Sequence, residues 1–214
     1  MRVLIGTSGY SYKPWKGSFY PEDLPEAEML RFYATRFPTV EVNNTFYRMP
    51  TRPVVERWAE ETPEGFHFVL KAPQRFTHQA RLRATDALPY FFETASALGG
   101  KLGPVLFQLP PNFKKDLERL RGFLAALPKD RRTAFEFRHE SWFDEDVFSA
   151  LREAGAALCA ADTDEAEATV LPTAEWGYLR LRRADYGDEA LRAWAERIRS
   201  QPWQEAFVFF KHEE

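Results

Sequence analysis

Residues 104–162 read PVLFQLPPNFKKDLERLRGFLAALPKDRRTAFEFRHESWFDEDVFSALREAGAALCAAD. Three short apolar runs stand out: Pro104 to Leu109, Thr133 to His139, and Ala156 to Asp162. They are the length of strands and rich in residues that suit a pleated surface. Two helical patterns separate them. Lys115 to Leu127 places Leu117, Leu120, Phe123, Leu124 and Leu127 at helical spacing. Asp144 to Ala154 opens on an N-cap candidate, Asp144, and is closed by Gly155. Strand and helix in strict alternation predict parallel strands joined by helical crossovers.

The same alternation continues on both sides. Val3-Leu4-Ile5 runs into Gly6-Thr7-Ser8-Gly9, and further strand candidates are Thr39 to Tyr47, Phe66 to Lys71, Gly177 to Leu181 and Ala206 to His212. Helices are predicted over Glu26 to Phe37, Arg52 to Glu61, Asp86 to Leu98 and Asp188 to Arg199, while residues 163–176 lack a clear helical pattern. Eight strands alternating with helices predict an α/β fold, a compact TIM-type (β/α)8 barrel in a single domain spanning residues 1–214. Such barrels usually take about 250 residues, so the loops must be short. The sequence ends just after the eighth strand, so the barrel is expected to lack the helix after strand eight. The open side would expose Phe207 and Phe209 to a partner or a second copy. An open doubly wound sheet is the alternative, but GTSGYSY at residues 6–12 is not the GxGxxG phosphate loop.

Composition narrows the class. Hydrophobic residues make up 44% and charged residues 29% of the chain, a globular balance. The net charge of −3 argues against a generally basic nucleic-acid coat and leaves room for a local basic cleft. One cysteine, Cys159, excludes an internal disulfide and a cysteine-rich zinc site. No apolar run approaches the roughly 20 residues of a membrane helix, and the N-terminus reads as a strand. The expectation is a cytoplasmic protein with no membrane partner.

Side chains alternate along a strand, and one set faces the barrel interior. The polar members of that set are Ser8 on strand one; Glu41, Asn43 and Thr45 on strand two; His67 and Lys71 on strand three; Gln108 on strand four. They continue with Glu136 and Arg138 on strand five, Asp162 on strand six, Arg180 on strand seven, and Lys211 or His212 on strand eight. Most fall late in their strands, at the C-terminal end where barrels of this class build active sites. An internal salt-bridge network is the bland reading, and a polar ligand site the functional one. The acids Glu41, Glu136 and Asp162 face the bases Lys71, Arg138 and Arg180, joined by Lys211 in one register of strand eight, a balance suited to an anionic, phosphate-bearing ligand.

On this reading Arg138, Arg180 and Lys71 bind the anion, and Glu136 or Glu41 acts as general acid or base. Asn43 and Gln108 orient the ligand, Ser8 joins them in binding it, and Tyr10, Tyr47 and Trp142 wall the site. Lys71 and His78 stand with the two glutamates as candidate catalytic residues. No cofactor is expected. A divalent metal held by His78, Glu136, Asp162 and His212 has no HExxH-type spacing to support it. A Schiff base on Lys71 is disfavoured, because nearby acids would raise its pKa. Cys159 reads as packing. The reaction classes that fit are hydrolysis, lyase chemistry or isomerisation. The alternatives are a nucleic-acid-binding or phosphodiester-processing barrel, suggested by QARLR at residues 79–83 and RLRR at 180–183, and a non-catalytic interaction protein.

The motifs IGTSGYSYKPWKGSFYP, VEVNNTFYRMP, FVLKAPQRFTH, VLFQLPP, FEFRHESWF and YLRLRRADYG, in this order, resemble the DUF72, or YecE-like, family. The resemblance runs from about Val3 to the final residues. It implies a TIM-barrel-type fold and no particular activity. It draws attention to Ser8, Tyr10, Trp15, Glu41, Asn43, Tyr47 and Lys71, and to His78, Gln108, Pro110, Glu136, Arg138, Trp142 and Arg180. The sequence departs from the family pattern after strand eight. Residues 210–214, FKHEE, stand where many relatives carry an Asn-Asn-Asp-like segment, and a closing helix is expected there.

Overall fold

The structure, a computed structural model, describes residues 1–83 and 85–211. Eight strands form one parallel sheet: β1 (Arg2–Thr7), β2 (Thr39–Val42), β3 (His67–Lys71), β4 (Leu102–Gln108), β5 (Thr133–Glu136), β6 (Ala157–Asp162), β7 (Trp176–Leu181) and β8 (Glu205–Phe210). Their order is β1-β8-β7-β6-β5-β4-β3-β2, so each strand lies beside its neighbours in sequence. Ser8 bridges Glu41 across the remaining seam, and the Gly9 amide donates to the Glu41 carbonyl at 2.8 Å. The sheet is thus a nearly closed (β/α)8 barrel. Closure brings β1 close to β2 at Gly6, where a Cβ would sit 2.1 Å from the Thr39 carbonyl oxygen.

The helices are α1 (Met29–Tyr33), α2 (Asn44–Tyr47), α3 (Arg52–Glu60), α4 (Ala87–Ala95), α5 (Leu117–Ala126), α6 (Glu145–Ala154) and α7 (Asp188–Arg199). Caps explain the sharpest boundaries. Asp116 accepts from the Arg119 amide at the start of α5, and Asp144 from the Asp146 amide at the start of α6. Gly155 ends α6 in the left-handed region, at φ 65°. Strand two is shorter than its apolar pattern predicts. It ends at Val42, and residues 44–47 wind into α2 because the Thr45 hydroxyl bonds the Val42 and Lys71 carbonyls. Thr45 therefore braces the β2–β3 ends and does not face a ligand. Residues 163–175 carry no helix between β6 and β7. Thr173 closes this stretch onto β6, accepting from the Leu158 amide and donating to the Ala156 carbonyl.

The core has two layers. Leu4, Val69, Leu106, Ala134, Cys159, Tyr178, Phe207 and Phe209 fill the barrel interior. Val40, Phe68, Phe107 and Phe135 face outward and pack under the helices with Leu120, Phe123 and Leu151. Two expectations are corrected here. Phe207 and Phe209 are 1% and 0% exposed because they point inward; the exposed apolar side chains at this seam are Val3 and Ile5 on the outer face of β1. On β6 the inward set is Cys159 and Ala161, paired in register with Tyr178 and Arg180 of β7. Asp162 pairs with Leu181 and faces the helical layer. There Arg183 and the Tyr186 hydroxyl hold its carboxylate, both at 2.8 Å. No helix among the described residues is long and apolar enough to cross a membrane.

Candidate ligand site at the barrel mouth

The strand ends deliver a buried charge network to the C-terminal mouth. Arg180, on β7, donates to Glu41 Oε1 at 2.8 Å and to Glu136 Oε2 at 2.6 Å. Tyr178, two residues earlier on the same face, donates to Glu41 Oε2 at 2.5 Å, and Ser8 donates to Glu41 Oε1 at 2.9 Å. Gln108 and Arg138 both donate to Glu136 Oε1, at 2.9 and 3.1 Å. Taking such charges out of water costs several kcal/mol per ion unless each is closely bonded. Here every carboxylate oxygen has a partner, while Arg180 Nε has none among the described residues.

The network fixes the protonation states. Burial alone would raise the Glu136 pKa, but Arg180 and then Arg138 outweigh it and hold the carboxyl at about 2. Glu41 is likewise lowered against its burial, by Arg180, Tyr178 and Ser8. Both stay ionised at neutral pH. Lys71 goes the other way. Burial, and then Arg180, lower its pKa to about 8 despite Glu41 and Glu136. The nearby acids do raise it, as expected, but burial and Arg180 outweigh them. Lys71 Nζ lies 4.0 Å from the centroid of Phe46. His78 sits edge-on to that ring, its Nδ1 2.9 Å from the Thr77 hydroxyl. Burial, Lys71 and Arg138 lower its pKa, so it is neutral at pH 7.

A cavity of ≈ 470 Å³ opens beside the network. Glu136, Arg138, Cys159, Ala161 and Arg182 line its inner side, and Phe143, Thr163, Glu165, Glu167 and Thr169 line its rim. Burial pushes the Cys159 thiol well up, so it contributes packing and not a thiolate. Burial, then Arg180, lowers the Arg182 pKa. A larger hollow of ≈ 700 Å³ lies at the opposite end of the barrel, around Arg132, Trp176 and Gln204, away from the charge network.

Of the residues singled out from sequence, Ser8, Glu41, Lys71, His78, Gln108, Glu136, Arg138 and Arg180 come together at the mouth. Ser8 and Gln108 are engaged in holding carboxylates. Asn43 Oδ1 is buried with no partner among the described residues, and Tyr47 stands 74% exposed, edge-on to Phe46. Two aromatic residues lie elsewhere. Trp142 is fully buried, stacked on Phe137 at 4.8 Å, with its indole N–H donated to the Phe113 carbonyl. Tyr10 packs on Tyr33 and faces Trp58 and Glu61 beside α3. Neither wall position expected of them is occupied. His67 sits at the other end of the barrel, among Arg2, Glu205 and Phe207. With Asp162 in the helical layer, the four-residue metal set is not assembled. No group of three or more His, Cys, Asp or Glu among the described residues could hold a metal ion. His212 lies outside the described residues. Sequence reading missed Tyr178 and Arg182 as site residues. Both share a face with Arg180 at two-residue spacing, so carrying the strand-seven alternation one step each way would have found them.

These features define a class: a (β/α)8 barrel with a charged C-terminal mouth. The profile of the family described as "Protein of unknown function DUF72" matches residues 4–214, and the chain belongs to that family. It is 40% identical to the UPF0759 protein YecE of Escherichia coli over 116 residues, 53% of this chain and 43% of that protein. It is 34% identical to the UPF0759 protein YunF of Bacillus subtilis over 151 residues, 66% of this chain and 52% of that protein. The matched region thus spans about half the length of these curated relatives. A crystal structure of a DUF72 family protein from Thermotoga maritima superposes with a TM-score of 0.87 at 28% identity, covering 99% of this chain and 92% of that one. A DUF72 family protein from Enterococcus faecalis, at 20% identity and a TM-score of 0.72, shares the fold.

Proposed function

We propose that the mouth binds a small anionic, phosphate-bearing ligand and acts on it by acid–base chemistry, as a hydrolase, lyase or isomerase. One observation carries this reading. Four cations (Lys71, Arg138, Arg180, Arg182) surround two carboxylates, and two of the four, Lys71 and Arg182, form no ion pair among the described residues. Desolvated cations without a counter-ion favour an incoming anion, because the ligand supplies the missing charge. Glu41 and Glu136 hold Arg180 in place; Lys71, with its pKa brought down to about 8, is the group able to exchange a proton near neutral pH, with His78 beside it on the Phe46 ring. No cofactor enters this reading.

A nucleic-acid ligand is the second reading. Within RLRR at 180–183, however, Arg180 is internal and Arg183 is paired with Asp162, which leaves Arg182 facing the cavity. That supports a small ligand over a polynucleotide.

The test is thermal unfolding with phosphate, sulfate and phosphorylated metabolites. A ligand at about 100 times its Kd stabilises the fold by about 2.7 kcal/mol, which raises Tm by about 5–10 °C for a chain this size. Arg182→Met is expected to remove the shift, and it orphans no carboxylate. No shift with any anion, or an undiminished shift in Arg182→Met, would sink the assignment. Tight retention of an oligonucleotide that weakens steeply with salt would favour the second reading.

A further inference from the structure

Lys71 differs from the other well-placed lysines. Lys115 is paired with Asp144 at 2.8 Å, Lys13 with Glu26 at 3.0 Å, and Lys101 donates to the Ala59 and Thr62 carbonyls. Lys71 has 9% of its surface exposed, at the end of β3 where the mouth opens. Its neighbouring carboxylates are directed elsewhere: Glu41 to Arg180, Tyr178 and Ser8, Glu136 to Arg180, Arg138 and Gln108. What the amino group meets is an aromatic face, Phe46, with the His78 ring on the same phenyl. The charged and titratable groups that act on it are Glu41 from β2, Glu136 and Arg138 from β5, Arg180 from β7, and His78 from the loop after β3. An amine on an apolar surface, beside fixed cations and lacking a carboxylate, is held ready as a nucleophile.

We infer that Lys71 forms a covalent imine with the carbonyl group of a small aldehyde or ketone that also carries an anionic group. This inference rests on the anion site proposed above, which would seat the phosphate or carboxylate in the same mouth as the amine. The neutral amine attacks the carbonyl carbon, forming a C–N bond while the carbonyl oxygen takes up a proton. The carbinolamine then loses that oxygen as water, and the protonated imine remains. No oxidant or reductant is consumed. His78, neutral and with Nε2 free of the Thr77 contact, is the group placed to carry the protons between nitrogen and oxygen. The resulting iminium withdraws electrons from the adjacent carbon, which suits cleavage or proton transfer next to the former carbonyl. That is lyase or isomerase chemistry and not hydrolysis.

The experiment uses pyridoxal 5′-phosphate and pyridoxal as carbonyl probes, each trapped with borohydride and located by peptide mass mapping on the intact protein. The expected result is labelling at Lys71 at least tenfold faster than at Lys13, Lys16 or Lys129, rising through about pH 8. The phosphorylated probe should react faster than pyridoxal, and inorganic phosphate should protect. Labelling of Lys71 no faster than of the surface lysines overturns the imine, whatever phosphate does to Tm. Fast labelling without phosphate protection, and with equal rates for both probes, retains the imine and overturns the anion site. Lys71→Arg should lose the adduct. Mapping on the wild-type protein decides the matter even if that variant fails to fold.

Discussion

Glu136 is bonded on both oxygens, to Gln108, Arg138 and Arg180. Replacing it by Gln leaves Arg180 with half of its counter-charge inside the barrel. Removing one member of a buried pair costs about 3 kcal/mol, so Glu136→Gln is expected to lower the unfolding free energy by about that amount in urea titrations. It is therefore not a fold-neutral probe of the site, and an unchanged midpoint would contradict the network. The pH dependence has a fixed sign. Its folded pKa of about 2 lies below the ordinary 4.5, so its contribution is complete above pH 4.5 and is lost as pH falls towards 2. Lys71 has the opposite effect. With a folded pKa of about 8 against 10.5, keeping it charged opposes folding below pH 8, and the penalty fades as pH rises to 10.5. Lys71→Met should thus stabilise the protein at pH 7 by about 1 kcal/mol, with the gain shrinking above pH 8; denaturant titrations at pH 7 and pH 10 compare the two.

At the scale of elements, the barrel closes where β1 meets β2, and Gly6 permits it. A methyl group there would overlap the Thr39 carbonyl, and backbone cannot step aside as a flexible side chain can. Gly6→Ala is expected to cost about 3 kcal/mol or to prevent expression of folded protein, read by circular dichroism and urea unfolding. Trp142 belongs to the 3-10 turn after β5 that packs on Phe137 and Phe113. Trp142→Phe removes its hydrogen bond to the Phe113 carbonyl and should cost about 1–3 kcal/mol. Phosphate-induced stabilisation should persist in that variant, because Trp142 does not line the cavity. Loss of the shift without loss of fold would place this turn in the ligand site after all.

Over the whole molecule, a net charge of −3 coexists with a buried network at the mouth in which Lys71, Arg138, Arg180 and Arg182 outnumber Glu41 and Glu136. The contrast arises because Lys71, Arg138, Arg180 and Arg182 gather at one end, while most acidic side chains lie elsewhere on exposed surface. The sequence by itself determined the alternation of eight strands with helices, their parallel arrangement, the caps at Asp144 and Gly155, and the late position of polar residues on most strands. These follow from local periodicity and backbone chemistry, which neighbouring residues carry. Periodicity had no grip on β6, where AALCAAD offers small side chains on both faces; pairing with β7 decided that Cys159 faces in and Asp162 out. Nor could it choose between a salt-bridge network and a ligand site. The network is present: Arg180 meets Glu41 across 139 residues of chain and takes the acid that would otherwise neutralise Lys71, which is the ground for the proposed ligand site. Which charges meet, and which are left without a partner, depends on distances between strands that only barrel closure sets.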